Sequence, residues 1–390
     1  MKAASGFLPV VRRELGLMAK YPIYLIMIVV IPLVCYLFFA SLMPEGLPER
    51  LPVGVIDGDN SVLSRNMIRQ LDATAQNRVA AHYTDFSAAR NDLQQGKIFG
   101  FVVIPSDFEQ QLMTNSQPEI RFYYTQAYYI PGSLTLKNFS YMLSTLAGGV
   151  ALQTLLLHGE TEAQAMSIIQ PIVPDFHALG NPYVNYSVYL IDILIPGVLE
   201  LIILLTTVYA IGTELKQRSS RRWLRTGDYS ILKALAGKLL PYTAAFFVMG
   251  MLYNIILFRF MHYPLHADIG WLMLNTLLLI FGAQCMGVFM VGLLPVLRDA
   301  LSFSSLYGVL AFSFSGFSFP VEGMPAYVQG LSAIFPLRYY FKIYQNFALN
   351  GLPARYSLVY FGCMLAFVLF ALAVSVRLKK AALYQDYPKK

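Results

Sequence analysis

Two long apolar runs flank a short basic segment, TELKQRSSRRWLRTGD, Thr213 to Asp228. The segment carries Lys216, Arg218, Arg221, Arg222 and Arg225, and Lys233 and Lys238 follow closely. Upstream, Ser187 to Ile211 is apolar except for Asp192 and Glu200; downstream, Leu239 to Phe258 has no charge. As a helix, each run is long enough to cross about 30 Å of hydrocarbon. Lys and Arg concentrated in a short loop between spanning helices mark the cytoplasmic side. That assignment fixes the side of the membrane for every other segment.

Composition agrees. Of 390 residues, 56% are hydrophobic and 13% are charged, which excludes an ordinary soluble domain and predicts a polytopic membrane protein. The net charge of +7 is topological and no nucleic-acid partner is expected, because 16 of the 29 Lys and Arg lie in Met1–Lys20, Lys216–Lys238 and Arg377–Lys390, beside spans. Cys35, Cys285 and Cys363 all lie in apolar runs, so the polar insert has no internal disulfide.

In chain order, residues 1–21 place Phe7, Leu8, Val11, Leu15 and Met18 at helical spacing between charges, which predicts a cytoplasmic amphipathic helix. Residues 22–42 form the first span, a retained anchor without a convincing cleavage site. Residues 43–186 are expected to be an extracytoplasmic α/β domain with a long helix. Its strand-like runs are Pro52–Ile56, Arg78–Tyr83, Ile98–Ile104 and Glu119–Tyr124, alternating with helical stretches. Phe139–Leu157 has nineteen uncharged residues, but Glu160, Glu162 and Asp175 follow it and no Lys or Arg occurs between Lys137 and Lys216. It is therefore read as a buried or membrane-resting helix of the outer domain. Residues 187–377 then hold five spans, near Ser187–Gly212, Leu239–Phe258, Gly270–Leu293, Ala300–Phe319 and Tyr356–Val376, with a cytoplasmic coupling loop at 213–233. Residues 378–390 form a cytoplasmic tail. The predicted class is mainly α, with six transmembrane helices arranged one plus five around the inserted α/β domain.

Residues 314–350 include FSGFSFPVEGMPAYVQGLSAIFPLRYY, which breaks at Pro320, Pro325 and Pro336. It is too broken to span and too apolar for a solvated loop, which predicts a re-entrant pair of short helices at the outer face. This stretch, with VIDGDNSVLSR opening the insert and FGFVVIPSDFEQQL inside it, resembles the permease subunits of type-2 ABC exporters that carry a large extracytoplasmic insert. The resemblance covers nearly the whole chain. It implies a bacterial inner-membrane protein with both termini cytoplasmic, dimerising with a second copy or a paralogous permease. It also implies pairing with ATP-binding cassette ATPase subunits that hold ATP and Mg, and outward movement of an amphiphile such as a drug or lipid. A periplasmic adaptor is a further candidate partner.

The residues fit that division of labour. No G-x-x-x-x-G-K-[ST] loop is present, so ATP hydrolysis is expected on the separate subunit and no cofactor on this chain. Lys216, Arg218, Arg221, Arg222, Trp223 and Arg225 are the expected ATPase-docking residues. Glu200, mid-span, is the polar or gating candidate, against a purely structural interhelical hydrogen bond. Asp192, nearer the outside, is expected at the interface and solvated. Phe317, Phe319, Pro320, Glu322, Pro325 and Pro336 are the expected outer-gate residues. DGDNS at 57–61 lacks the glycine and twelfth-position acid of a calcium loop, because Val62 and Ile68 stand there, and it reads as a helix N-cap at Asn60 or Ser61. His262 and His266 are separated by Pro264, and no metal site is expected. Two alternatives remain: a membrane-anchored envelope interaction protein without transport, and proton-coupled efflux through Glu200.

The orientation is testable. Cysteines introduced at Asn91 and Gln329 should react with an impermeant reagent in intact cells, and one at Ser219 only after permeabilisation. External labelling at Ser219 would reverse the topology.

Overall fold

In hydrocarbon no water is available to satisfy backbone N–H and C=O groups, so each apolar run must close its hydrogen bonds as a helix. The computed structural model describes residues 6–42, 46–114, 116–181, 185–317, 319–384 and 387. Lys2, Ser318 and the tail lysines Lys389 and Lys390 lie outside them. The chain divides into two compact units, Met1–Pro44 with Ala178–Lys390, and Glu45–His177.

The first unit opens with helix α1 (Phe7–Lys20), which turns at Tyr21 into α2 (Pro22–Ser41). The second unit follows, with β1 (Leu51–Asp57), α3 (Val62–Asp72), β2 (Asn77–His82), α4 (Phe86–Gln94), β3 (Gly100–Ile104), α5 (Phe108–Met113), β4 (Arg121–Tyr124), α6 (Tyr129–Leu157) and α7 (Glu162–Ile169). Its sheet has the order β2-β1-β3-β4, with β1 parallel to β2 and β3, and β4 antiparallel to β3. The period of two along the strands sorts the core. Val53, Val55, Val102 and Ile104 meet Met67 and Leu71 of α3, Phe108 of α5, and Phe139 and Met142 of α6. Phe101, Ile56 and Val103 meet Ala89 and Leu93 of α4 on the opposite face. The N-cap is Ser61, whose Oγ accepts from Ser64 N at 3.0 Å, while the Asp57 carboxylate is spent on Asp59 N, Asn60 N and Ser64 Oγ.

The first unit resumes with α8 (Tyr186–Lys216), α9 (Ser220–Thr226), α10 (Ile231–Phe260), α11 (Ile269–Leu293), α12 (Leu297–Phe314), α13 (Ala326–Ser332), α14 (Pro336–Tyr344) and α15 (Leu358–Tyr384). Among the described residues six helices are long and apolar enough to cross a membrane: α2, α6, α8, α10, α11 and α15. The expected count is met by a different set. The run expected to span as Ala300–Phe319 forms the 18-residue α12, which includes Arg298 and Asp299 and stops at Phe314, before Gly316 at φ +86°. It still lies along α8, because Gly197 admits Phe312 and Gly308 admits Leu201 at distances a Cβ would forbid.

Helix α6 qualifies by length and apolarity, but its first half is engaged. Phe139 stacks on Phe122 of β4 at 4.2 Å and Met142 is buried beside it. Leu157, at the other end, is 88% exposed. The part beyond Met142, at about 1.5 Å rise per residue, reaches only about 22 Å, short of the roughly 30 Å hydrocarbon thickness.

Phe139 thus joins the long helix to the sheet. Phe139→Ala should lower the stability of the excised unit, residues 46–177, by about 3–5 kcal/mol in urea unfolding. No change in midpoint would mean that α6 does not cover the sheet.

Candidate functional site: a buried charge cluster and a helix pair

Lys and Glu are almost never fully buried unless paired. Three such residues, Glu14, Glu214 and Lys238, converge with the half-buried Arg13 at the end of the first unit that bears the basic segment. Lys238 on α10 is 1% exposed, and all three of its N–H donors are used: two reach Glu14 Oε1 and Oε2 at 2.8 Å each, and one reaches Glu214 Oε1 at 3.1 Å. Glu14, 0% exposed on α1, also accepts from the Tyr242 hydroxyl at 2.8 Å. Glu214, near the end of α8, receives a bidentate fork from Arg13 at 2.6 and 3.0 Å, and the Ser219 hydroxyl completes its shell. Two cations thus face two anions, and α1, α8 and α10 are held in register. The amphipathic pattern of α1 explains why it can seat there: Val10 and Glu14 face inward, and Gly237 lets the α1 backbone at Phe7 and Val10 come against α10. Burial pulls the Arg13 guanidinium down, but hydrogen bonding and charge from Glu214 more than offset it and leave it above its ordinary value.

Helix α9 packs into the same cluster. Ser220, Trp223 and Leu224, at helical spacing, are buried, and Arg222 and Arg225 are exposed. The Trp223 indole N–H donates to Ala234 O at 3.2 Å, and its ring lies 5.6 Å from Lys238 Nζ. Trp223, expected at the docking surface, is therefore an inward anchor, because its i, i+3 relation to Ser220 puts it on the packed face. Ser220 Oγ donates to Ala382 O at 2.9 Å, and Arg221 Nε, although Arg221 is exposed, donates to Leu383 O, which ties α9 to the end of α15. Lys216 and Arg218 are exposed. A cavity of about 140 Å³ opens beside the cluster, lined by Arg13, Tyr21, Tyr24, Tyr209, Thr213 and Gln217 among others.

The second assembly lies farther along α8. Helix α14 packs against it with Leu337, Tyr340 and Tyr344 buried. Glu200 is 2% exposed, and neither of its carboxylate oxygens forms a well-aligned hydrogen bond; it faces the Leu337 backbone N–H at the start of α14. That N–H lies in the first turn of α14, where the helix itself offers it no acceptor. Asp192 contradicts the expectation of a solvated interfacial residue: it is 2% exposed, enclosed by tyrosines from α10 and α14. The distance along one helix gives its depth, but its cover comes from other helices.

The expected gate residues separate into two groups. Phe317 stacks on Tyr189 of α8 at 4.5 Å, and its carbonyl accepts from the Tyr189 hydroxyl at 3.2 Å. Pro336 is buried against Gly282 of α11. Phe319, Pro320, Glu322 and Pro325 are exposed. The Lys342 ammonium, 2.9 Å from Glu322, holds that carboxyl below the usual range through its hydrogen bond. The broken pair of short helices expected here is present as α13 and α14.

Six apolar helices, a short basic helix anchored at one end and a proline-broken pair at the other leave a limited choice of families. The family model described as "ABC-2 family transporter protein" matches residues 22–377. The chain belongs to the ABC-2 transporter family. Its similarity extends to the linearmycin resistance permease protein LnrN of Bacillus subtilis (strain 168), 24% identical over 388 residues, covering 94% of this chain and 97% of that one. As an ABC-2 permease with several apolar helices it is a multi-pass membrane protein, and membership implies an ATPase partner.

The cluster was only partly visible in the sequence: Glu14 and Lys238 stand out as charges beside apolar runs, but nothing pairs residues 224 positions apart. Lys238→Met leaves Glu14 and Glu214 short of their shared cation and should cost about 3–5 kcal/mol in thermal or denaturant unfolding of the purified permease. Arg222→Gln, on the exposed face of α9, should stay within about 0.5 kcal/mol. Equal stability of the two variants would show that the cluster does not hold these helices.

Proposed function

We propose that the chain is the transmembrane permease subunit of an ATP-driven exporter that moves an amphiphile, such as a drug or lipid, out of the cytoplasm or inner leaflet. The observation that carries this reading is α9: one face is buried through Ser220, Trp223 and Leu224, while Arg222 and Arg225 stand on the other. A short helix fixed on one side and cationic on the other suits docking into a cleft of a partner ATPase. Lys216, Arg218 and Arg221 extend the basic surface. Trp223 contributes from below, by fixing the helix on the Lys238 cluster. ATP and Mg belong to the partner, and hydrolysis is assigned there.

Support for the orientation comes from charge. The basic segment, α1 and the end of α15 carry the Lys and Arg excess, which supports a cytoplasmic side for them and for both termini in the proposed bacterial inner membrane. The α/β unit then lies outside, as an extracytoplasmic insert. Support for efflux comes from the relative, whose name ties it to linearmycin resistance. A second permease copy or a paralogous permease completes the assembly, and a periplasmic adaptor is a candidate for the insert.

Mechanically, a push on α9 reaches α1, α8 and α10 together, because Lys238, Glu14, Glu214 and Arg13 connect them. Helix α8 runs on to Glu200 and Asp192, where α14 sits. The exposed turn around Phe319, Pro320, Glu322 and Pro325 is proposed to move with α14 as the outer gate.

Arg222→Gln with Arg225→Gln should weaken association with the ATPase at least about tenfold, roughly 1.4 kcal/mol, with the permease still inserted and thermally stable. Pull-down and ATPase assays on the reconstituted complex measure this. Unchanged association, ATPase rate and export would remove the docking role of α9.

A further inference from the structure

An ionised carboxylate only accepts hydrogen bonds, and burying one without donors or a cation is among the costliest arrangements in a protein. Asp192 is 2% exposed, and both its oxygens lack a hydrogen-bond partner. The titratable groups facing it are phenols: Tyr340 and Tyr344 from α14, Tyr253 from α10, and Tyr263 just after α10. Tyr36 of α2 packs behind them, its ring 5.7 Å from that of Tyr253. From α11, Asn275 donates to the Tyr340 carbonyl at 3.1 Å. From α12, Tyr307 stands instead beside Glu200.

The hydroxyls around Asp192 are unequally committed. Tyr253 donates to Ile191 O at 3.4 Å, and Tyr263 shares a hydrogen bond with Ser187 Oγ at 2.5 Å. The Tyr344 hydroxyl lies against Asp192, yet it too is without a well-aligned partner. Two orphan carboxylate oxygens and an orphan phenol thus meet in one buried place. A single added proton resolves all three: the neutral acid offers one O–H donor and keeps one acceptor, and Tyr344 matches both. Glu200 differs. Both its oxygens also lack an aligned partner, but what it faces is the Leu337 N–H, a backbone donor that cannot accept, rather than a phenol that can do both.

We propose that Asp192 is a proton-binding site, occupied while α14 is packed over it and emptied when α14 moves away. The proton then passes to the water that enters, leaving a solvated carboxylate. Each cycle of the gate would take up and release one proton through Asp192, a second coupling beside ATP. This rests on the reading of α14 as part of the outer gate.

Infrared difference spectroscopy tests it, using the permease–ATPase complex in vesicles of phosphatidylethanolamine and phosphatidylglycerol, nucleotide-free against vanadate-trapped. The expected result is a protonated-carboxyl C=O band that shifts in heavy water, is present in the resting complex and is lost on trapping. It should be absent from Asp192→Asn and retained in Glu200→Gln, and Tyr344→Phe should shift its frequency without removing it. The same band in wild type and Asp192→Asn would overturn the proposal. So would a band that survives trapping, or a carboxylate band that responds to exchanging sodium for potassium. If no ATPase associates with the permease, the exporter reading fails by itself. The permease alone, titrated from mildly acidic to alkaline pH, then still shows whether Asp192 carries the proton.

Discussion

Everything at the basic end of the first unit depends on one buried ammonium group. Lys238 could not lie at 1% exposure without its three acceptors on Glu14 and Glu214, and neither carboxylate could lie there without Lys238 and Arg13. Such a cluster adds little net stability over a well-packed apolar core, because desolvation offsets most of the Coulomb attraction. Its effect is on geometry. Apolar helices slide past one another at small cost, whereas a carboxylate held by two cations and a hydroxyl has one position. The cluster therefore sets the register of α1, α8 and α10 and gives α9 a rigid seat through Trp223.

Rigidity there matters because α8 is also the helix that carries the other two buried carboxylates. Glu14, Glu214, Lys238 and Arg13 satisfy one another, but Glu200 and Asp192 do not have that luxury. Besides tyrosines of α10 and α12, both face α14, a short helix that starts at Pro336 and runs on after Tyr344 into a π-helical segment, Gln345–Leu349. One end of α8 is thus locked by charge pairing, and its other polar positions depend on an element held mainly by packing of Leu337, Tyr340 and Tyr344. An element of that kind can shift at lower cost than an ion-paired one, and the proposed outer gate rests on that asymmetry.

The α/β unit follows different physics. Its strands are sorted by alternation, and its two faces are closed by α3, α5 and α6 on one side and α4 on the other. Helix α6 is apolar nearly all round, a pattern that in water requires cover. The sheet covers its first half through Phe139 and Met142; α7 packs along the second half through the fully buried Ala165, while Leu156 and Leu157 at its end are exposed.

The sequence by itself determined the helices that follow from long uncharged runs, since hydrocarbon leaves the backbone no other choice. It determined the four strands from short apolar runs alternating with helical stretches, narrowed the helix cap to Asn60 or Ser61, and set the breaks at Pro320, Pro325 and Pro336 from the missing N–H of proline. These are all effects within about ten residues of chain. Tertiary structure alone decided which helices are neighbours. It turned Trp223 inward, buried Asp192 under tyrosines of α10 and α14, and joined Glu14 to Lys238 across 224 residues. It also stopped α12 at Phe314 and tied the first half of α6 to a sheet. Spacing along one helix gives the face on which a side chain stands; what that face meets is set by the packing of the whole chain.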